Sequence, residues 1–112
     1  MGLLDKVLGR EVDAFAKELA EMVAKRFPAA LEAAPERRVS PNRITKVLED
    51  VLEKAEDYAK SRRLGVYKKA KLASSFKWEL KELGYSDKFI EVATEGLVVY
   101  TTRGAKKPGS SS

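Results

Sequence analysis

Ser40-Pro41-Asn42-Arg43-Ile44-Thr45-Lys46-Val47-Leu48-Glu49-Asp50-Val51-Leu52-Glu53-Lys54-Ala55-Glu56-Asp57-Tyr58 is the stretch that decides the fold class. Ser40 offers a hydroxyl to the free N–H groups of a helix start. Pro41 follows at the first helical position, where its missing N–H costs nothing. Val39 and Ile44 stand at the two positions of a hydrophobic staple. Ile44, Val47, Leu48, Val51, Leu52, Ala55 and Tyr58 then recur at steps of three and four, which lines one face of an α-helix.

The same period extends in both directions. Leu4, Leu8, Val12, Phe15, Leu19 and Met22 predict a helix from Leu3 to Phe27, with Gly9 a weak point worth about 1 kcal/mol against alanine. Pro28 stops it. Ala29 to Ala34 adds a short helical turn, and Pro35-Glu36-Arg37-Arg38 is a linker. Beyond Tyr58, Gly65 reads as a break. Leu72, Phe76, Leu80 and Leu83 predict a helix from Val66 to Leu83, and Gly84 reads as its left-handed terminator. Ser86 caps a last helix, with Tyr85 and Ile90 as a second staple and Asp87 at the positive helix end.

Leu97-Val98-Val99-Tyr100-Thr101-Thr102 carries two readings. It continues the helix, or, being β-branched and bracketed by Gly96 and Gly104, it forms a short strand. A lone strand has no partner in the chain and would have to pair with a second copy.

The expected fold is all-α: a small three- to four-helix antiparallel bundle over residues 1–103, with the first two long helices at its centre. Gly104 to Ser112 reads as a disordered tail. A first helix this long would leave Leu3, Leu4, Val7 and Phe27 at its ends for a second copy, with two-fold symmetry the default.

Composition closes most routes to chemistry. The chain has no Cys and no His. That removes thiolate nucleophiles, imidazole bases and the usual zinc and iron–sulfur ligand sets. Glu49, Glu53, Glu56 and Asp57 have no loop to wrap a cation, and no glycine motif cradles phosphate. No enzyme activity, cofactor or metal is expected. No apolar run is long enough for a transmembrane segment. The amino terminus does not read as a signal peptide, so the expected compartment is cytoplasmic.

Charge is unevenly placed. Residues 1–59 carry a net −2 and residues 60–112 a net +7. Lys60, Arg62, Arg63, Lys68, Lys69, Lys71, Lys77 and Lys81 form a candidate basic face, with Tyr67 and Trp78 as candidate aromatic contacts. Such a face suits nucleic acid, through counterion release and base stacking. Peripheral contact with an anionic membrane is not expected. The plainer reading is that these cations neutralise Glu49, Asp50, Glu53, Glu56 and Asp57. Leu80 to Leu97 has the outline of a helix-turn-helix, yet Asp87, Glu91 and Glu95 would repel phosphates.

Two functions remain. One is a non-catalytic helical interaction or assembly module that forms a homo-oligomer or binds another helical protein. The other is a nucleic-acid-binding accessory protein acting through residues 60–81.

Overall fold

Each start and stop written in the sequence has a counterpart in the computed structural model, which describes residues 3–34 and 40–106, with side chains over 9–34 and 40–103. The helices are α1 (Leu3–Arg26), α2 (Ala29–Ala33), α3 (Pro41–Ser61), α4 (Val66–Leu83) and α5 (Asp87–Lys106). The described residues contain no strand, and none of these helices is long and apolar enough to cross a membrane.

Ser40 Oγ accepts from the Arg43 N–H at 3.2 Å, which is the expected cap. Its partner in the staple, Val39, lies outside the described residues. Ser86 Oγ accepts from the Phe89 N–H at 3.1 Å at the start of α5. Gly84 ends α4 with φ +95°, and Tyr85 N–H reaches back to the Leu80 carbonyl at 3.3 Å.

The break expected at Gly65 is present, between Ser61 and Val66, but its left-handed residue is not the glycine. Gly65 is extended and only begins α4. The left-handed residue is Arg63, at φ +53°. Leu64 N–H bonds the Ala59 carbonyl at 3.0 Å and Arg63 N–H the Lys60 carbonyl at 3.2 Å. This is the Schellman pattern, normally built on glycine. An L-residue there costs roughly 1–2 kcal/mol.

The doubtful stretch 97–102 is helix. Leu97 and Thr101, four apart, are buried, while Val98 and Val99 are exposed. Burial thus follows a period of four and not of two. Thr101 Oγ1 donates to the Leu97 carbonyl at 2.9 Å, which hides its hydroxyl. The helix runs to Lys106, three residues into the expected tail; the remaining tail residues lie outside those described.

Cross-helix contacts fix the directions. α1 meets α3 through Phe15 on Tyr58 (ring centroids 3.8 Å apart) and Arg26 on Asp50 (2.7 Å). Rising numbers thus meet falling ones, and the two run antiparallel. α1 meets α4 through Asp13 on Lys71 at 3.6 Å and continues to Phe27 beside Tyr85 at 6.2 Å, so these run parallel. Leu52 lies against Gly96 and Glu56 pairs with Arg103 at 3.4 Å, so α3 and α5 are parallel as well. Successive long helices therefore alternate in direction, as in an antiparallel bundle. The closest packing, however, is α1 on α4 and α3 on α5, not α1 on α3.

Aromatic groups close one end. Pro28 cannot continue α1, which strands its last carbonyls. The buried Tyr85 hydroxyl donates to the Phe27 carbonyl at 2.5 Å. Phe89 packs on both rings, at 5.5 Å from Phe27 and 4.8 Å from Tyr85. Glu32 of α2 accepts from Ser86 N–H at 2.9 Å and from Ser86 Oγ, placing a carboxylate at the positive end of α5. Phe27, expected to be left over for a second copy, is 3% exposed because this corner uses it. The side chains of Leu3, Leu4 and Val7 lie outside those described.

Two outcomes follow from this packing. A Cβ added at Gly96 would stand 2.7 Å from Leu52 Cδ1. Overpacking of that kind costs about 1–3 kcal/mol, against about 1 kcal/mol gained from helix propensity. Gly96→Ala is therefore expected to destabilise in urea denaturation, and Leu52→Val to relieve part of the loss in a double-mutant cycle. Independent, additive effects would contradict the contact. The Tyr85 phenol is pushed up from 10.0 to about 12, first by burial and then by Glu32. The folded state then holds this proton where the unfolded state releases it, so stability falls as pH rises from about 10 towards 12. Tyr85→Phe should cost about 1 kcal/mol at neutral pH and flatten that alkaline decline; an unchanged decline would show that Tyr85 does not contribute to it.

Candidate interaction surface

The eight cations of residues 60–81 do not share one face. At about 100° per residue around α4, Lys68 and Lys71 point towards α1. Lys69 and Lys77 point towards α5. Arg62 pairs with Glu11 at 3.2 Å and stacks over Tyr58 at 5.1 Å. Lys71 pairs with Asp13 at 3.6 Å. Lys69 is half-buried in the floor of a groove between α4 and α5. Lys77 and Lys81 line the same helix pair further along, opposite Asp87, Glu91 and Glu95. Lys60 and Arg63 stay exposed at the α3–α4 corner, with Lys68 half-buried near them.

The acids of α3 are not their partners. Asp50 is held by Arg26 at 2.7 Å and Lys46 at 3.1 Å, and these hydrogen bonds keep its carboxyl below its usual range. Glu56 takes Arg103. Because α4 packs on α1, the neutralising acids come from the first helix, which sequence reasoning did not single out.

A different surface emerges. All seven exposed large apolar side chains among the described residues lie on α4 or α5: Val66, Tyr67, Trp78, Leu83, Val92, Val98 and Val99. Val66 is 83%, Tyr67 71%, Trp78 59% and Val99 57% exposed. Tyr67 and Trp78, the two aromatic contacts expected from sequence, stand eleven residues apart, about three turns, and so share the outer face of α4. Lys68 Nζ sits 5.5 Å from the Tyr67 ring and Lys81 Nζ 6.0 Å from the Trp78 ring.

This outer face has two unlike ends. At one, Val66, Ala70, Val98 and Thr102 border an apolar groove of about 260 Å³. At the other, Lys77 and Lys81 of α4 and Asp87, Glu91 and Glu95 of α5 rim a groove of about 420 Å³ with Ile90 and Thr94 in its lining. The β-branched run Val98–Val99 was the sequence signal for the apolar end. The charged end was legible only as separate acids and lysines, because their meeting depends on α4 and α5 being antiparallel neighbours. Among the described residues, no group of three or more His, Cys, Asp or Glu side chains is placed to hold a metal ion.

Comparison with protein-family models, with curated proteins and with solved structures finds no significant match for this chain.

Proposed function

We propose that the chain is a non-catalytic helical interaction module that self-associates through the outer face of α4 and α5. The observation that carries this reading is the segregation of exposed apolar side chains. Val66, Tyr67, Trp78, Val92, Val98 and Val99 are all on these two helices. Single apolar residues scattered over a surface need no explanation, whereas their gathering on two adjacent helices supports a contact surface there. Trp and Tyr are the residues most often found at the energetic centre of such contacts. The want of His and Cys supports a binding role over a chemical one.

The nucleic-acid reading draws less support from the same geometry. A phosphate track needs its cations side by side. Here Arg62 and Lys71 are engaged by Glu11 and Asp13, and Lys77 and Lys81 face the acids of α5.

The two readings separate in solution. Sedimentation at tens of micromolar is expected to show the chain larger than a monomer. Tyr67→Asp/Val99→Asp should be monomeric with unchanged helical circular dichroism, whereas Lys17→Glu on the surface of α1 should sediment like the parent. A monomeric parent, or a folded double variant that still associates, would contradict the proposal.

A further inference from the structure

We infer that the partner on the α4–α5 face is a second copy of this chain, related by a two-fold axis that runs parallel to the helices. This rests on the interaction-module reading and adds an arrangement to it. Each α4 would lie on the α5 of the other copy, and the two copies would share their ends.

The layout of the face selects this axis. The apolar end is built from the start of α4 and the end of α5, with Val66, Tyr67, Val98 and Val99. The charged end is built from the end of α4, with Lys77 and Lys81, and the start of α5, with Glu91 and Glu95; the exposed Trp78 and Val92 stand at this end too, each about 100° round its helix from Lys77 or Glu91. A two-fold axis along the helices keeps each end in place and exchanges α4 with α5. Apolar surface then meets apolar surface. Lys77 and Lys81, which line one groove with Glu91 and Glu95 of their own chain, also meet the partner's Glu91 and the partner's Glu95. An axis across the helices would instead set α4 on α4 end for end. It would press Lys77 and Lys81 onto the partner's Val66 and the partner's Tyr67, desolvating charge without pairing it. Opposite charges at matched positions favour the first arrangement and oppose the second. Of the other charges at the charged end, Asp87 and Lys88 of α5 cancel, and Glu79 and Glu82 of α4 fall on the side of that helix turned towards α1.

The size of the face is adequate. Helices of 18 and 20 residues are about 27 and 30 Å long at 1.5 Å per residue. Side by side they present a face about 20 Å wide, or roughly 600 Å², near the ~800 Å² per partner of a standard interface.

Charge reversal tests the pairing directly. Lys77→Glu/Lys81→Glu and Glu91→Lys/Glu95→Lys are each expected to self-associate at least tenfold more weakly than the parent chain. Mixed in equal amounts they should form a heterodimer, visible by sedimentation and by mass in native mass spectrometry. If each variant is folded and the mixture stays monomeric, the arrangement is wrong. Should a reversed variant lose its helical signal, cysteine trapping decides, since the chain has no Cys of its own. Under mild oxidation a mixture of Ala70→Cys and Val99→Cys chains should cross-link to each other. Efficient cross-linking of Ser74→Cys to itself would indicate α4 on α4 and overturn the inference. Loss of association in Tyr67→Asp/Val99→Asp without rescue between the reversed variants would leave the surface standing and remove only this geometry. A monomeric parent chain would remove both.

Discussion

Pro28 ends α1 and leaves the carbonyls of its last turn in need of donors. The Tyr85 hydroxyl, brought in by the turn at Gly84, donates to the Phe27 carbonyl at 2.5 Å. That single bond joins the corner after α1 to the corner after α4. Phe89 packs against both rings, and Glu32 reaches from α2 to the start of α5. With both corners held at one end of the molecule, α1 and α4 must lie side by side and run the same way. α3 and α5 return in the opposite direction and close on each other at Gly96, where no side chain intervenes. The aromatic corner is thus what turns four amphipathic helices into one particular bundle.

The charge pattern follows from that pairing. A sequence split into an acidic first half and a basic second half suggests that α3 and α4, adjacent in the chain, neutralise each other. The corner prevents it by giving α4 to α1. Glu11 and Asp13 of α1 take Arg62 and Lys71. Asp50 and Glu56 of α3 take Arg26 and Arg103. These are exposed pairs, each worth little alone, but they settle where positive charge is left over. It is left at the α3–α4 corner, with Lys60 and Arg63, while Lys77 and Lys81 stand opposite the acids of α5, so no single stripe forms.

Local signals carried most of the secondary structure. Ser40, Pro41, Gly84 and Ser86 act within a few residues of where they stand, so their effects are legible without a partner. The helical period was equally clear wherever apolar side chains were large. Legibility failed where the deciding neighbour was distant in sequence. Leu97–Thr102 looked strand-like because β-branching is a local property, whereas its burial against α3 and α4 is not. Gly96 looked like a boundary because its reason, the approach of Leu52, comes from another helix. Gly65 marked the break between α3 and α4 but not its form, because nothing in the residues marks Arg63 for a left-handed conformation. The candidate surface was half legible: Tyr67, Trp78 and the Val98–Val99 run were visible, while the acids of α5 gained meaning only beside Lys77 and Lys81.

The aromatic corner closes the core, and the exposed large apolar side chains among the described residues are left on α4 and α5, the face through which we propose the molecule acts. Valine methyl resonances report on both statements at once. In a dilute sample with a soluble paramagnetic agent, the methyls of Val66, Val98 and Val99 should relax strongly, while those of the buried Val12, Val23, Val47 and Val51 should not. On concentration to association, protection should appear at the α4 and α5 valines alone. Protection of those valines at every concentration, or their full exposure in the associated state, would contradict the account.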